Sequence, residues 1–352
     1  MFTHFIFRLL SPSPFKCIRI SYSSQPQQLK EKHVTKVVNV AIIGAPNSGK
    51  STLINNIVDR KICAASNKVH TTTKMIRAMC FENNTQIIFI DTPGVVTERE
   101  QKKYLLPESM MKACHKSLRC ANVIGVVHDV ANRFTQDTIH RDVIDMLEGV
   151  KDIPSFLILN KVDRLKSKKQ LLSIIKSLTN GQIAGNRIPE GKRHIYKNRR
   201  NDNEEKIKGY SHFSDVFLVS ALNGDGVKEI KDYLIGNAKT ASLHYSSDDW
   251  TDQTPESLIE EAVRAKFLDF LSQEIPYNLK TALEYYDDSK EDKIVCSVSV
   301  ECPSERILKL ISGAGGGRLN QIKSCVRNDL VELFKKLVVI DINLNVRHKP
   351  EA

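Results

Sequence analysis

The residues Gly44-Ala45-Pro46-Asn47-Ser48-Gly49-Lys50-Ser51-Thr52 end a short apolar run, Val37–Ile43, and their types and spacing suit a phosphate chain. Glycines let the backbone curl until successive N–H groups converge on one anion, and a helix starting there adds its positive end. Lys50 then reaches the β- and γ-phosphates, and the Ser51 hydroxyl reaches Mg2+. A second run, Gln86–Ile90, opens onto Asp91-Thr92-Pro93-Gly94. A carboxylate there can hold Mg2+ through water, and the Gly94 N–H can sense a γ-phosphate. Between them lies a threonine-rich stretch in which Thr72, with Thr71 next, is the candidate to join Mg2+ and the γ-phosphate only while a triphosphate is bound. A third run, Ser155–Leu159, ends in Asn160-Lys161-Val162-Asp163. Guanine shows two adjacent donors on its pairing edge, and the Asp163 carboxylate can accept both, whereas adenine offers a mismatch. That selects GTP over ATP, with Lys161 along the base and Asn160 bracing the phosphate loop. The backbone of Ser220-Ala221-Leu222, after Val216–Val219, is placed for the guanine carbonyl oxygen.

Each of these groups needs a strand to deliver it. The aliphatic runs read as buried strands with Val123–Asp129 as another, and Asn83-Asn84 reads as a hairpin turn that sets Met75–Phe81 antiparallel to its successor. Helices are expected at Thr52–Val58, Asp137–Leu147, Leu171–Leu178 and Lys228–Asn237. The fold class is α/β, a phosphate-loop nucleotide domain over 37–238 with a mixed sheet and flanking helices. Its segment from about 180 to 210 is rich in Gly, Asn, Lys and Arg and reads as a disordered surface insertion. Residues 239–253 read as a linker.

A second, smaller α+β domain is expected over 254–348. Thr254-Pro255-Glu256 has the form of a helix start, and apolar residues recur at helical spacing from Leu258 to Leu271, with Pro276 as the stop. Strands at Leu279–Tyr286 and Lys293–Val300, helices at Ser304–Ile311 and Arg318–Leu333, and a closing strand at Val338–Val346 follow. Gly313-Ala314-Gly315-Gly316 separates the two helices, as a loop that lets a nucleic-acid backbone come close. The positions between the glycines hold Ala314 and Gly315, neither of them basic, so Arg318, Lys323 and Arg327 are the candidates for charge.

The loops in this order resemble the G1 to G5 elements of translation-factor-like GTPases. The helix–strand–strand–helix–GxxG–helix–strand layout resembles a type II KH domain. Together, with Ile275-Pro276-Tyr277 between them, GAPNSGKS, DTPG and the KH layout resemble the Era family, over about Val37 to Val346. The resemblance implies GTP hydrolysis with Mg2+, coupled to binding of the 3′ region of small-subunit ribosomal RNA during subunit assembly, with Lys50, Thr72, Gly94 and Asn47 acting at the reacting phosphate. Asn47 matches relatives that recruit K+ beside the phosphates. Val95 stands where many small GTPases place a water-orienting glutamine, so intrinsic turnover should be slow.

The remaining composition sets the bounds. Lys and Arg outnumber Asp and Glu by 52 to 41, a net charge of +11 that favours a polyanionic partner, either nucleic acid or an acidic membrane surface. The eight cysteines are scattered, without metal-ligand spacing, and read as reduced thiols. Residues 1–36 are expected to be a mitochondrial leader, since the first thirty combine Arg8, Lys16, Arg19 and Lys30 with several serines and no acid. The matrix, with peripheral association at the inner membrane, is the expected location. No apolar run approaches the ~20 residues that span a bilayer. An RNA-binding scaffold with negligible turnover and a membrane-surface GTPase remain the alternatives.

Overall fold

The computed structural model describes residues 35–64, 75–92, 117–165, 170–189, 209–272 and 274–347. Residues 1–34, Thr71 and Thr72, Pro93, Gly94 and Val95, and most of the insertion lie outside them; Lys36, expected to end the leader, instead opens the first strand because it pairs with Thr85 and Thr240.

Strand β1 (Lys36–Ile43) explains the first layer. Its side chains alternate between two cores: Val38, Val40 and Ile42 enter one, Ala41 and Ile43 the other. A strand buried on both faces must lie inside a sheet covered by helices on each side. Around it stand β2 (Ile76–Glu82), β3 (Thr85–Asp91), β4 (Val123–Asp129), β5 (Ser155–Asn160) and β8 (Phe213–Val219), in the order β2-β3-β1-β4-β5-β8. Within this order all pairs are parallel except β2 with β3, which run antiparallel through the Asn83-Asn84 turn. Helices α1 (Lys50–Val58) and α4 (Val227–Asn237) cover one face with Leu53, Ile54, Ile57, Ile230 and Leu234; α2 (Arg141–Glu148) and α3 (Leu171–Leu178) cover the other. Parallel strands bring their carboxyl ends to one edge, where such folds bind ligands. Asp91, Asp129 and Asn160 each end a strand there.

The start of the insertion is a small hairpin, β6 (Gln182–Ile183) with β7 (Asn186–Arg187). Helix α2 starts four residues later than expected, because Thr135–Thr138 form turns closed on Asn132 and Thr135.

The stretch 239–253 is an ordered strap. Its first residues form β9 (Lys239–Thr240), paired with Lys36 and Val37. Further on, the Gln86 side chain accepts from His244 N and Tyr245 N and donates to Tyr245 O. Thr251 bridges Ala78 on β2, and Asp252 pairs with Arg77 at 2.9 Å.

In the C-terminal part, Thr254 caps α5 (Pro255–Phe270) by accepting from Ser257 N, with Pro255 in the first turn. The helix ends at Leu271, which is already extended, well before Pro276. Strand β10 (Lys280–Lys290) runs antiparallel to β11 (Lys293–Cys302), and β12 (Leu337–Val346) pairs parallel to β11 along its whole length. Ile294, Cys296, Val298, Val300 and Cys302, every second residue of β11, face α7 (Gly317–Phe334), which buries Ile322, Val326, Leu330 and Leu333. Helix α6 (Glu305–Ser312), capped by Ser304, completes the layer. Three strands under helices, with a glycine loop between α6 and α7, are the architecture of a KH-like domain. Among the described residues no helix is long and apolar enough to cross a membrane.

Candidate functional site

Helix α1 begins inside the phosphate loop. Gly49 caps it with φ +97, and a Cβ there would stand 2.2 Å from Asn160 Nδ2, so both conformation and space demand glycine. Asn47 sits at the exposed tip with φ +59, and Ser48 is buried. Lys50, 7% exposed, donates to the Gly44 and Ala45 carbonyls at 3.2 and 3.0 Å, lying across the loop where a phosphate chain would pass. Ser51 Oγ donates to Asp91 Oδ2 at 2.9 Å. A hydroxyl beside a carboxylate, next to the buried Lys50, is a hard oxygen pair that fits Mg2+. Thr92 Oγ1 donates to Ile42 O at 2.8 Å and fastens the end of β3 to β1.

Asn160 holds three loops at once. Its Nδ2 donates to Ser48 O at 2.8 Å, and its Oδ1 accepts from Lys161 N at 2.8 Å and from Ala221 N at 2.9 Å. Lys161, at φ +65, turns its ammonium onto Asn47 O at 2.7 Å and Asp129 Oδ2 at 2.6 Å. Asp163 stands exposed in the short helical turn Val162–Arg164 that follows. Ser220 closes the last loop, its N–H donating to Asp225 O and its carbonyl accepting from Gly224 N, which leaves Leu222 exposed at the rim. The described nucleotide candidates therefore gather at one edge of the sheet, around the amino end of α1.

Sequence reasoning missed Asp129. It ends a buried strand as Asp91 does, and that placement was the available signal. Beside it, His128 is almost buried with Nε2 3.1 Å from Gln136 O. Burial lowers its pKa from 6.5, against the opposing pull of the Gln136 and Thr135 carbonyls and of Asp129 and Asp137. The folded chain keeps His128 neutral, so below about pH 6.5 the unfolded chain binds the proton first. Its contribution is whole above that value and is lost as pH falls below it. Denaturant melts at about pH 7.5 and 5.5 should show a smaller loss of stability at acid pH for His128→Gln than for the parent chain. Cys63 is inert for a similar reason: burial pushes its thiol well up, and the Asp91 carboxylate adds to the shift.

In the C-terminal part, Gly313 (φ +71) ends α6, and Gly316 (φ +75) leads into α7. A Cβ on Gly313 would meet Arg318 Cβ at 2.9 Å, while Gly315 and Gly316 face open space. The loop is thus fixed at one end and bare at its crest. Of the three basic candidates, Arg318 donates to Leu310 O at 2.9 Å, Lys323 pairs with Asp341, and Arg327 is exposed without an ion pair among the described residues.

The far ends of the two loop helices meet. Just beyond α1, Arg60 donates to Leu333 O at 3.0 Å and covers the Trp250 ring, which packs edge-on against Phe334. Lys61 pairs with Asp329 at 2.6 Å and Glu332 at 3.3 Å. Burial disfavours its charge, and the two carboxylates more than offset that, so its pKa is raised.

Residues 39–161 match the family model described as 50S ribosome-binding GTPase. Over 338 residues the chain is 34% identical to "GTPase Era, mitochondrial" of Danio rerio, covering 89% of this chain and 76% of that one. It is 30% identical to "GTPase Era" of Afipia carboxidovorans, covering 90% and 91%. The fold matches a crystal structure of Era in complex with MgGDPNP and nucleotides 1506–1542 of 16S ribosomal RNA, with a TM-score of 0.70 at 24% identity over 89% of this chain and 94% of that one. With its phosphate loop and its KH-like C-terminal part, the chain belongs to the Era family of GTPases.

Proposed function

We propose that this GTPase acts in the mitochondrion as a GTP-timed chaperone of small-subunit ribosomal RNA during subunit assembly. The phosphate loop and guanine loops hold GTP; Ser51, Asp91 and Thr72 would hold Mg2+, which would supply positive charge beside the phosphates. Asn47, exposed at the tip of the loop, is placed for K+ in the same role. The Gly313–Gly316 loop receives the 3′ region of the RNA, with Arg318, Lys323 and Arg327 as its cations.

The observation that carries this reading is the meeting of two helices. Helix α1 starts at the phosphates and α7 at the glycine loop, and the Lys61–Asp329 and Arg60–Leu333 bonds join their far ends. A γ-phosphate that orders Thr72 and Gly94 can thereby bias how the RNA-binding part sits, and hydrolysis releases the RNA.

RNA crosslinking in intact mitochondria tests it, with Gly313→Asp as the control. The aspartate is strained at φ +71 and its Cβ meets Arg318. Small-subunit ribosomal RNA should be recovered with the parent chain and lost with the variant, while GTP binding, which depends on the other end of the chain, is kept. Scattered transcripts, or full recovery with the variant, would refute the reading.

A further inference from the structure

Phe134 is 95% exposed, the most exposed of the large apolar side chains among the described residues. Single apolar residues at a surface are ordinary, but this one stands on a turn fixed from both sides. Asp129 Oδ1 accepts from Ala131 N at 2.9 Å, Asn132 Oδ1 accepts from Phe134 N at 3.1 Å, and Asn132 O accepts from Thr135 N and Gln136 N. The turn is also tied to α3, where Ser177 Oγ donates to Asp137 O at 2.8 Å. Arg133, exposed beside the ring, forms no ion pair among the described residues.

We propose that Arg133 and Phe134 form a second RNA contact, on the nucleotide domain, in which an unpaired nucleobase stacks on the phenyl ring and the guanidinium meets the adjoining backbone. The proposal rests on the RNA-binding reading above and extends it to a site away from the glycine loop. A base offers two flat faces beside a negative backbone, so one rigid ring and one free cation make a sufficient platform. Protein docking calls for a contiguous apolar patch, and the neighbours here, Asn132, Thr135 and Asp137, are polar. Lys176, on α3 next to Ser177, and Arg187 line a concavity of about 570 Å3, so the helix to which the turn is tied also offers positive charge.

The test uses the full chain and a synthetic RNA with the small-subunit 3′ region and its unpaired flanks. Phe134→Ala should weaken binding about tenfold, and Phe134→Trp should preserve it, with GTP affinity, turnover and melting temperature unchanged in both. A photoreactive residue at position 134 should crosslink to RNA. If Phe134→Ala binds as the parent chain does while Gly313→Asp does not bind, the second contact is wrong and the glycine-loop reading stands. If the label captures only protein in organelle extracts, the contact is likewise overturned. If the parent chain binds no RNA, both readings fall.

Discussion

Replacing Asp163 by Asn should cost GTP affinity about a thousandfold, roughly 4 kcal/mol, and create affinity for XTP. In the proposed reading the carboxylate accepts from both guanine donors, so an amide puts one of its own N–H donors against a donor of the base and loses two charge-assisted bonds. Xanthine carries a carbonyl where guanine carries its amino group, and that carbonyl accepts from the new amide. The folded chain should not notice the change, because Asp163 is exposed and makes no hydrogen bond or ion pair among the described residues. Competition binding with GTP and XTP reads the switch, and a thermal melt without nucleotide should be unchanged. A variant that loses both nucleotides equally would remove Asp163 from the base-reading role.

Loops that bind by backbone geometry were legible in the sequence because they restrict residue type at each step. Gly49 has to be glycine beside Asn160, and Asp91 has to follow a strand buried on both sides. The strands themselves showed as continuous aliphatic runs, and the helix pair around Gly313–Gly316 as a glycine break between two amphipathic stretches. What the sequence hid depends on contacts far apart in the chain. The strap at 239–253 looks like a polar linker, and it is ordered by partners on the main sheet: Gln86, Arg77 and the backbone of Met79. Strand β10 outruns its apolar alternation, continuing through Asp287 and Asp288 with irregular register, because pairing to β11 holds it. Lys161 was expected along the base, and its grip on Asp129 was hidden because it needed the adjacency of β4 and β5. Arg318 and Lys323 were chosen by charge alone, and their bonds to Leu310 and Asp341 follow from how α6, α7 and β12 stack.

Asn160→Ala should lower GTP affinity at least a hundredfold, about 3 kcal/mol, and lower the melting temperature as well, which separates it from Asp163→Asn. The side chain is 1% exposed, and its amide is spent on Ser48 O, Lys161 N and Ala221 N. Truncation strips a partner from each of these three backbone groups, and a buried group left unpaired costs about 1–3 kcal/mol. Some of that cost is recovered by relaxation, and the relaxation is itself harmful: Ser48 belongs to the phosphate loop, and Lys161 and Ala221 to the two loops proposed to hold the base. Three loops that arrive pre-set in the parent chain must then be ordered by the nucleotide, so the binding energy falls by the ordering cost. Asn160→Asp divides the effect. It keeps an acceptor for Lys161 N and Ala221 N, and it sets a carboxylate oxygen against the Ser48 carbonyl, so the phosphate loop alone is disturbed. Nucleotide titration and thermal melts of both variants check the argument. A stability loss for Asn160→Ala with GTP affinity intact would show that Asn160 supports the fold without pre-setting the loops.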